Sequence, residues 1–293
     1  MKDESEKKQK IPLRERFLRK REASPRKKKR LIHIAFLPSF ITLINGACGF
    51  VAIVFASHAS FALAAYLVLL AMVADILDGR VARLTRTTSS FGGQLDSLSD
   101  AVSFGVAPAF LMIKLVEFHL EHLGYEDLDF SLVLGRIMIV SAVFYAMCAI
   151  VRLARFNVEN DDDETFHMNF AGLPSPAAAG VVISLIIFHQ QILPQIAGEI
   201  TRMYHIVTVT ALPLVTFLTG ILMVSRIRYP HAANQLLRSK KSPAFLLGIF
   251  AIVLLFVWNI QVTLAAGFCG FALFGVIRWI ASLFKSKEKE KTS

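Results

Sequence analysis

The chain has 293 residues, of which 55% are hydrophobic and 18% are charged, and its mean hydropathy is +0.55. Its long apolar runs exclude a soluble globular protein, and they do not alternate as the short strands of a membrane β-barrel do. We therefore predict an all-α polytopic membrane protein, because only helices and closed barrels satisfy every backbone polar group in lipid.

The net charge of +10 comes almost entirely from the N-terminus. Residues 1–30 contain fourteen Lys or Arg and five Asp or Glu. A basic segment directly before an apolar helix is typical of membrane orientation and of contact with anionic lipids, so no nucleic-acid partner is expected. The segment is long and charged, which predicts no cleavable signal peptide. We divide the chain into a basic cytoplasmic tail (1–30), a transmembrane domain (31–284) and a charged cytoplasmic C-terminal tail (285–293).

About eight transmembrane helices are predicted. They cover residues 37–56, 61–83, 93–115, 132–154, a fifth span that begins near 174, and 207–224, 244–260 and 263–283. Connections rich in Lys and Arg fall at both termini and after spans two, four and six, which predicts that both termini face the cytoplasm. Cys48, Cys148 and Cys269 lie inside spans without C-x2-C spacing, so we interpret them as small buried apolar residues.

Four aspartates flank the turn between spans two and three. Asp75 and Asp78 are three residues apart on one predicted helix, and Asp96 and Asp100 are four apart on the next, so each pair shares a helix face. The polar link between the helices is short enough to make them antiparallel neighbours, which gathers the carboxylates at one end. An ionised group in hydrocarbon costs at least ~2.5–3.5 kcal/mol, so these acids predict a functional site.

Carboxylate clusters of this kind suit Mg²⁺ or Mn²⁺, which are usually held together with substrate phosphates. Two divalent ions would cancel the four negative charges. Gly79 and Gly92, which lie within the same stretch, would let a ligand approach the backbone closely.

Two other groups of polar residues invite a binding interpretation. Arg152 and Arg155 end the fourth span on the side of the aspartates, and an Arg fork suits phosphate or carboxylate. His119 and His122 have helical metal-ligand spacing with two nearby glutamates. We interpret this second stretch, within residues 116–130, as a solvated outer loop rather than a metal site.

The pattern D-x2-D-G-x2-A-R-x8-G-x3-D-x3-D, at residues 75–100, resembles the signature of the CDP-alcohol phosphatidyltransferases at every position. Three further segments are similar to the phosphatidylserine synthase branch of that family. They are L-D-S-L-S-D-A-V-S-F-G-V-A-P-A (95–109), R-L-A-R-F-N (152–157) and G-L-P-S-P-A-A-A-G (172–180).

This resemblance implies a six-helix catalytic core within residues 31–284 and a homodimer. The distribution of Lys and Arg predicts that the four aspartates, and with them the active site, face the cytoplasm at the cell (inner) membrane. The resemblance also implies CDP-diacylglycerol as donor, CMP as leaving group, an alcohol as acceptor, and two Mg²⁺ or Mn²⁺ ions. The residues that it implies fall into three groups: metal ligands Asp75, Asp78, Asp96 and Asp100, with Asp100 also accepting the proton of the attacking hydroxyl; a nucleotide pocket of Thr42, Asn45, Gly79, Ala82, Arg83 and Gly92; and Arg152 and Arg155 for the acceptor.

The same segments favour L-serine as the acceptor, with glycerol 3-phosphate and inositol phosphate as alternatives. A route through a histidine nucleophile in an H-x-K motif is excluded, since none of the eight histidines is followed by x-Lys. A divalent-cation transporter would spread its acids through the bilayer depth, whereas these acids cluster at one end of one hairpin.

Overall fold

The computed structural model describes residues 25–85, 90–123, 128–161, 172–194, 201–227, 229 and 259–292. Within these ranges all regular structure is helical, which confirms the predicted all-α class. The helices are α1 (Pro25–Ser57), α2 (Phe61–Thr85), α3 (Ser90–Asp100), a π-helical segment (Ala101–Val106), α4 (Ala107–Leu123), α5 (Leu128–Asp161), α6 (Ser175–Gln191), α7 (Thr201–Val224) and α8 (Ile260–Thr292).

Six helical runs among the described residues are long and apolar enough to cross a membrane. They are α1, α2, the continuous run from α3 to α4, α5, α7 and α8. Large apolar side chains such as Leu70 and Val140 remain exposed on them, as expected of faces that contact lipid. The chain is thus an integral membrane protein. The predicted total of eight spans stays a prediction, because most of the predicted span 244–260 (residues 244–258) lies outside the described residues.

A tight connection makes α1 and α2 antiparallel. Ala59 adopts a left-handed conformation (φ 58°), and the amide of Ser60 donates to the carbonyl of Phe55 over 3.0 Å. This is the usual way in which a helix end satisfies its last carbonyls. The connection places the first half of α1 beside the aspartate-bearing half of α2.

The third predicted span differs from the structure in two respects. A π-helical segment interrupts it directly after Asp100, where α1 approaches so closely that a Cβ on Gly49 would lie 2.6 Å from Cα of Ser103. The buried hydroxyl of Tyr145 donates to the carbonyl of Phe104 in this segment over 2.9 Å. The helix also continues past 115 to Leu123, so the predicted loop at 116–123 is wrong. Single π turns inside α-helices occur often at functional sites.

Helix α6 lies inside the bundle, where most of its side chains are buried. It begins one residue after Pro174, close to the predicted start of the fifth span. The preceding Gly172 has a φ of +96°, and its amide donates to the carbonyl of Ile227 over 2.9 Å. The amide of Leu173 likewise donates to the carbonyl of Leu222. These bonds hold the start of α6 against the end of α7.

Two smaller features concern the C-terminus and the cysteines. Helix α8 continues to Thr292, so most of the predicted tail 285–293 is helical. The three cysteines are free and lie within helices, but only Cys148 is fully buried, while Cys48 and Cys269 are half-buried.

Candidate active site

Three aspartates meet at the end of the α2–α3 hairpin. Asp75 and Asp78 on α2 and Asp96 on α3 each offer a carboxylate oxygen, and these oxygens lie within 4.8 Å of one another. The link between Thr85 and Ser90 is short, so the two helices place their acidic faces together, as the sequence predicted. A group of this composition could hold a divalent metal ion.

Two buried oxygen atoms of these three aspartates have no hydrogen-bond partner among the described residues. They are Oδ2 of Asp78 and Oδ1 of Asp96. Two carboxylates at this spacing repel each other by roughly 3–4 kcal/mol at an effective dielectric constant of 20. Unpartnered buried oxygens of like charge fit a divalent cation, which needs several oxygen ligands and removes the repulsion.

Asp100 lies next to this trio but is held differently. Its Oδ1 accepts a hydrogen bond of 2.8 Å from Nδ2 of Asn45, a fully buried residue of α1. The backbone carbonyl of Asn45 in turn accepts from the hydroxyl of Ser103, also over 2.8 Å. Asp100 interacts electrostatically with the aspartates of the trio. The bond to Asn45 therefore fixes the orientation of a carboxylate at the edge of the cluster.

The other residues predicted for the nucleotide pocket surround the trio on α1 to α3. Thr42 is buried beside Asp78, and its hydroxyl donates to the carbonyl of Pro38 over 3.0 Å. Gly79 faces open space, since no atom lies within 4 Å of the position of a Cβ there. Ala82 and Gly92 are half-buried, and Arg83 is exposed. Their contacts with a nucleotide, and that of Asn45, stay predictions.

The two predicted acceptor arginines differ in exposure, since Arg152 is half-buried and Arg155 is exposed. Nη1 of Arg152 on α5 donates to Oγ of Ser175, the first residue of α6, over 2.7 Å, and its guanidinium interacts electrostatically with Asp100. Ser175 is its one hydrogen-bond partner among the described residues. The structure therefore associates Arg152 with the aspartate cluster.

Three contacts at the site involve residues that the sequence did not single out. Ser103 supports Asn45, Ser175 contacts Arg152, and Asn157 accepts a 2.9 Å hydrogen bond from Ser97 of α3. Each of these residues lies inside one of the motif segments at 95–109, 152–157 and 172–180, so the motifs indicated them without indicating their partners.

The sequence of residues 35–217 matches the model of the CDP-alcohol phosphatidyltransferase family. The chain belongs to this family. A CDP-diacylglycerol–serine O-phosphatidyltransferase of Helicobacter pylori J99 is 34% identical over 252 residues, which cover 85% of this chain and 92% of the relative. One of Methanocaldococcus jannaschii is 32% identical over 69% of this chain and 78% of its own length. An archaetidylserine synthase of Methanothermobacter thermautotrophicus is 32% identical over 69% and 73%, respectively.

CDP-alcohol phosphatidyltransferases are metal-dependent enzymes, and the convergence of Asp75, Asp78 and Asp96 supplies the oxygen ligands that such dependence requires. The signature residues of the family thus coincide with the one ligand-spaced acidic group in the described part of the chain.

Proposed function

We propose that this chain transfers the phosphatidyl group of CDP-diacylglycerol to the hydroxyl of L-serine, giving phosphatidylserine and CMP. The observation that carries the proposal is the meeting of Asp75, Asp78 and Asp96 at the end of an apolar hairpin, in a chain whose relatives carry the name of that activity. The acyl chains of the donor lie in the bilayer, and its diphosphate lies at the hairpin end.

The three carboxylates would hold Mg²⁺ or Mn²⁺, with Asp100 as a further ligand if two ions bind. Such ions, when bound, neutralise the diphosphate and stabilise the leaving phosphate of CMP. The open surface at Gly79, together with Thr42 and Arg83, accommodates the nucleotide. The alternative of a cation transporter has no support from a group of acids that all lie at one hairpin end.

Asp100 is suited to accept the proton of the attacking hydroxyl. Asn45 occupies its Oδ1, and no other hydrogen bond to its carboxylate is present among the described residues, which leaves Oδ2 for the acceptor. In the transfer, the serine oxygen forms a bond to the phosphorus of the phosphatidyl group and the bond from that phosphorus to CMP breaks. The serine proton passes to Asp100. Because a carboxylate is a weak base, its contribution depends on its fixed position.

Arg152 is suited to bind the carboxylate of serine. Its guanidinium lies in a membrane-spanning helix, where its one hydrogen-bond partner among the described residues is the neutral hydroxyl of Ser175. A partly buried cation gains most from an anion that accepts charge-assisted hydrogen bonds. The nearby Asp100 would then face the hydroxyl end of the same serine molecule.

The distribution of Lys and Arg favours an active site at the cytoplasmic face of the cell (inner) membrane, with both termini cytoplasmic. A homodimer is the assembly that family membership suggests. A reporter that is active only in the cytoplasm, fused to either terminus, would test this orientation.

An assay with a panel of acceptors tests the proposed reaction. Purified protein receives Mn²⁺, CDP-diacylglycerol and either L-serine, glycerol 3-phosphate or inositol phosphate, and both CMP and the lipid product are measured. We expect release of CMP and formation of phosphatidylserine when serine is the acceptor, and no lipid product with either of the other two acceptors. A lipid product from another acceptor instead would overturn the assignment of serine, and no CMP with any acceptor would overturn the transferase activity.

Replacing Arg152 by Lys should raise the KM for serine about ten- to a hundredfold, because a charge-assisted hydrogen bond contributes ~1.5–3 kcal/mol. The KM for CDP-diacylglycerol should change much less. Arg136→Lys, which alters an exposed arginine near the start of α5, is the matched control. An unchanged KM for serine in the Arg152 variant would exclude its contact with the acceptor carboxylate.

Replacing Gly79 by Ala should reduce CMP release at least about tenfold without reducing thermal stability. No protein atom lies within 4 Å of the new methyl group, and Ala favours a helix over Gly by about 1 kcal/mol, so the fold has no reason to weaken. Gly135→Ala on α5 is the control, since its Cβ would also meet open space. Equal activity of the two variants would argue against close approach of a nucleotide to Gly79.

A further inference from the structure

One buried oxygen beside the aspartates is a hydrogen-bond acceptor without a donor in the part of the chain that the structure describes. It is Oδ1 of Asn45 on α1, whose side chain is fully buried. A buried carbonyl oxygen without a donor costs free energy comparable to a lost hydrogen bond, and native structures contain few of them. The unpaired oxygen therefore indicates a ligand group that donates a hydrogen bond.

The orientation of this amide follows from its contact with Asp100. Nδ2 of Asn45 donates to Oδ1 of Asp100 over 2.8 Å. The reverse orientation would set the carbonyl oxygen of the amide against a carboxylate oxygen, and two acceptors at this distance repel each other. The protein thus engages the amide nitrogen, and the amide oxygen remains for a ligand.

The packing of α1 against α3 and the π-helical segment holds the amide in place. The backbone carbonyl of Asn45 accepts a hydrogen bond from Oγ of Ser103 over 2.8 Å. One residue further along α1, a Cβ on Gly46 would lie only 3.1 Å from Oγ of Ser99. Close packing on this side leaves the amide little freedom to turn, so its oxygen is preorganised for a partner of fixed position.

The unpaired oxygen lies close to the groups proposed to bind the acceptor. Standard amide geometry puts Oδ1 of Asn45 within roughly 5 Å of Oδ1 of Asp100. The guanidinium of Arg152 interacts electrostatically with the same Asp100. The carbon that bears the ammonium of serine also bears its carboxylate and is bonded to the carbon of its hydroxyl. One serine molecule therefore presents all three polar groups within a short range.

We propose that Oδ1 of Asn45 accepts a hydrogen bond from the ammonium group of the acceptor, which makes Asn45 the residue that selects an amino alcohol. This inference rests on the proposed transfer to serine. An ammonium donor forms a charge-assisted hydrogen bond, and the carboxylate of Asp100 also attracts its positive charge. Glycerol 3-phosphate and inositol phosphate have no amino group, so they leave the oxygen unpaired. A buried polar group that only one competing substrate can pair gives strong discrimination.

The amino group of the cytosine ring is the other N–H donor among the substrates. It would agree with the predicted place of Asn45 in the nucleotide pocket. The bond to Asp100 favours the acceptor instead, because Asp100 faces the acceptor hydroxyl in the proposed reaction. A contact with cytosine would affect the KM for CDP-diacylglycerol, whereas a contact with the ammonium affects the choice among acceptors.

Three contacts around one chiral carbon would also determine its handedness. With the carboxylate at Arg152 and the hydroxyl at Asp100, the ammonium of D-serine would point away from Asn45. We therefore expect the enzyme to distinguish the two forms of serine through this residue.

Acceptor analogues test the proposal on wild type, so the result does not depend on whether a variant folds. CMP release is measured with L-serine, D-serine and 3-hydroxypropionate, which is serine without its amino group. We expect kcat/KM to be at least about tenfold lower for each analogue, as for the loss of a charge-assisted hydrogen bond. Equal use of 3-hydroxypropionate or of D-serine would overturn the proposal and leave the transferase activity standing. No CMP release with L-serine would instead overturn the proposed function, and this inference with it.

Asn45→Ala separates recognition of the ammonium from support of Asp100. Loss of that support should lower the rate with L-serine and with 3-hydroxypropionate alike. Loss of the amide oxygen should in addition lower the ratio of their kcat/KM values at least about tenfold. Ser103→Ala, which removes a contact of the Asn45 backbone but keeps its amide, is the control and should keep the ratio of wild type.

Two results with these variants would overturn the proposal. One is an unchanged ratio in Asn45→Ala, and the other is an equal fall of the ratio in Ser103→Ala. A raised KM for CDP-diacylglycerol with an unchanged ratio in Asn45→Ala would assign the oxygen to cytosine instead.

Discussion

Replacing Asp78 by Asn should lower Mn²⁺-dependent CMP release by about a thousandfold and leave the metal-free protein at least as stable as wild type. The loss corresponds to about 4 kcal/mol of charge stabilisation at the diphosphate, which the metal no longer supplies. The stability follows from the structure, because Asp78 Oδ2 is buried without a hydrogen-bond partner among the described residues and lies beside two like charges. Removing its charge relieves that repulsion.

Thermal unfolding with and without Mn²⁺ distinguishes the two effects. Wild type should be stabilised by Mn²⁺, and the Asp78 variant should not be, since the ion binds only the folded cluster. Glu121→Gln, at an exposed acid on α4, serves as the control for the loss of one negative charge. An Asp78 variant that remains fully active, or that is stabilised by Mn²⁺ as wild type is, would contradict the assignment of this carboxylate to the metal.

Replacing Asp100 by Asn should reduce CMP release in the presence of serine about a hundred- to ten-thousandfold, which is the range for loss of a general base. The side chain keeps its size and can still contact Asn45, so the fold should be preserved. The three aspartates of the ligand-spaced group remain in this variant. Its affinity for Mn²⁺ should therefore fall far less than that of the Asp78 variant.

Manganese titration followed by electron paramagnetic resonance, together with CMP release, gives the required comparison. We expect the Asp100 variant to bind Mn²⁺ without releasing CMP. We expect the Asp78 variant to lose both Mn²⁺ binding and CMP release. Full activity of the Asp100 variant would refute its role as proton acceptor. Loss of Mn²⁺ binding equal to that of the Asp78 variant would make Asp100 a principal metal ligand instead.

The hairpin and the convergence of its acids were predictable because they depend on local geometry. Helical spacing determines on which helix faces Asp75, Asp78 and Asp96 lie. The short polar link between the two helices favours their antiparallel packing. The contact of Asn45 with Asp100 and that of Arg152 with Ser175 were not predictable in this way. Each joins two helices whose relative rotation depends on packing, such as the close approach of α1 at Gly49.

The interpretation of His119 failed for a related reason. Its acidic sequence neighbourhood suggested a solvated loop, yet the helix continues and turns this one side chain into the bundle. Its neighbour His205 lies 86 residues away along the chain, so no local spacing could reveal the pair. The π-helical segment after Asp100, which contacts α1 at Gly49 and α5 at Tyr145, was equally hidden in the sequence.

The most direct measurement is the position of Mn²⁺ in a structure of this protein with CDP-diacylglycerol, located by the anomalous scattering of the metal. We expect Mn²⁺ in contact with carboxylate oxygens of Asp75, Asp78 and Asp96, at about 2.0–2.2 Å as for other small hard divalent ions, and in contact with the diphosphate. Manganese that binds elsewhere, or a diphosphate far from these three side chains, would contradict it.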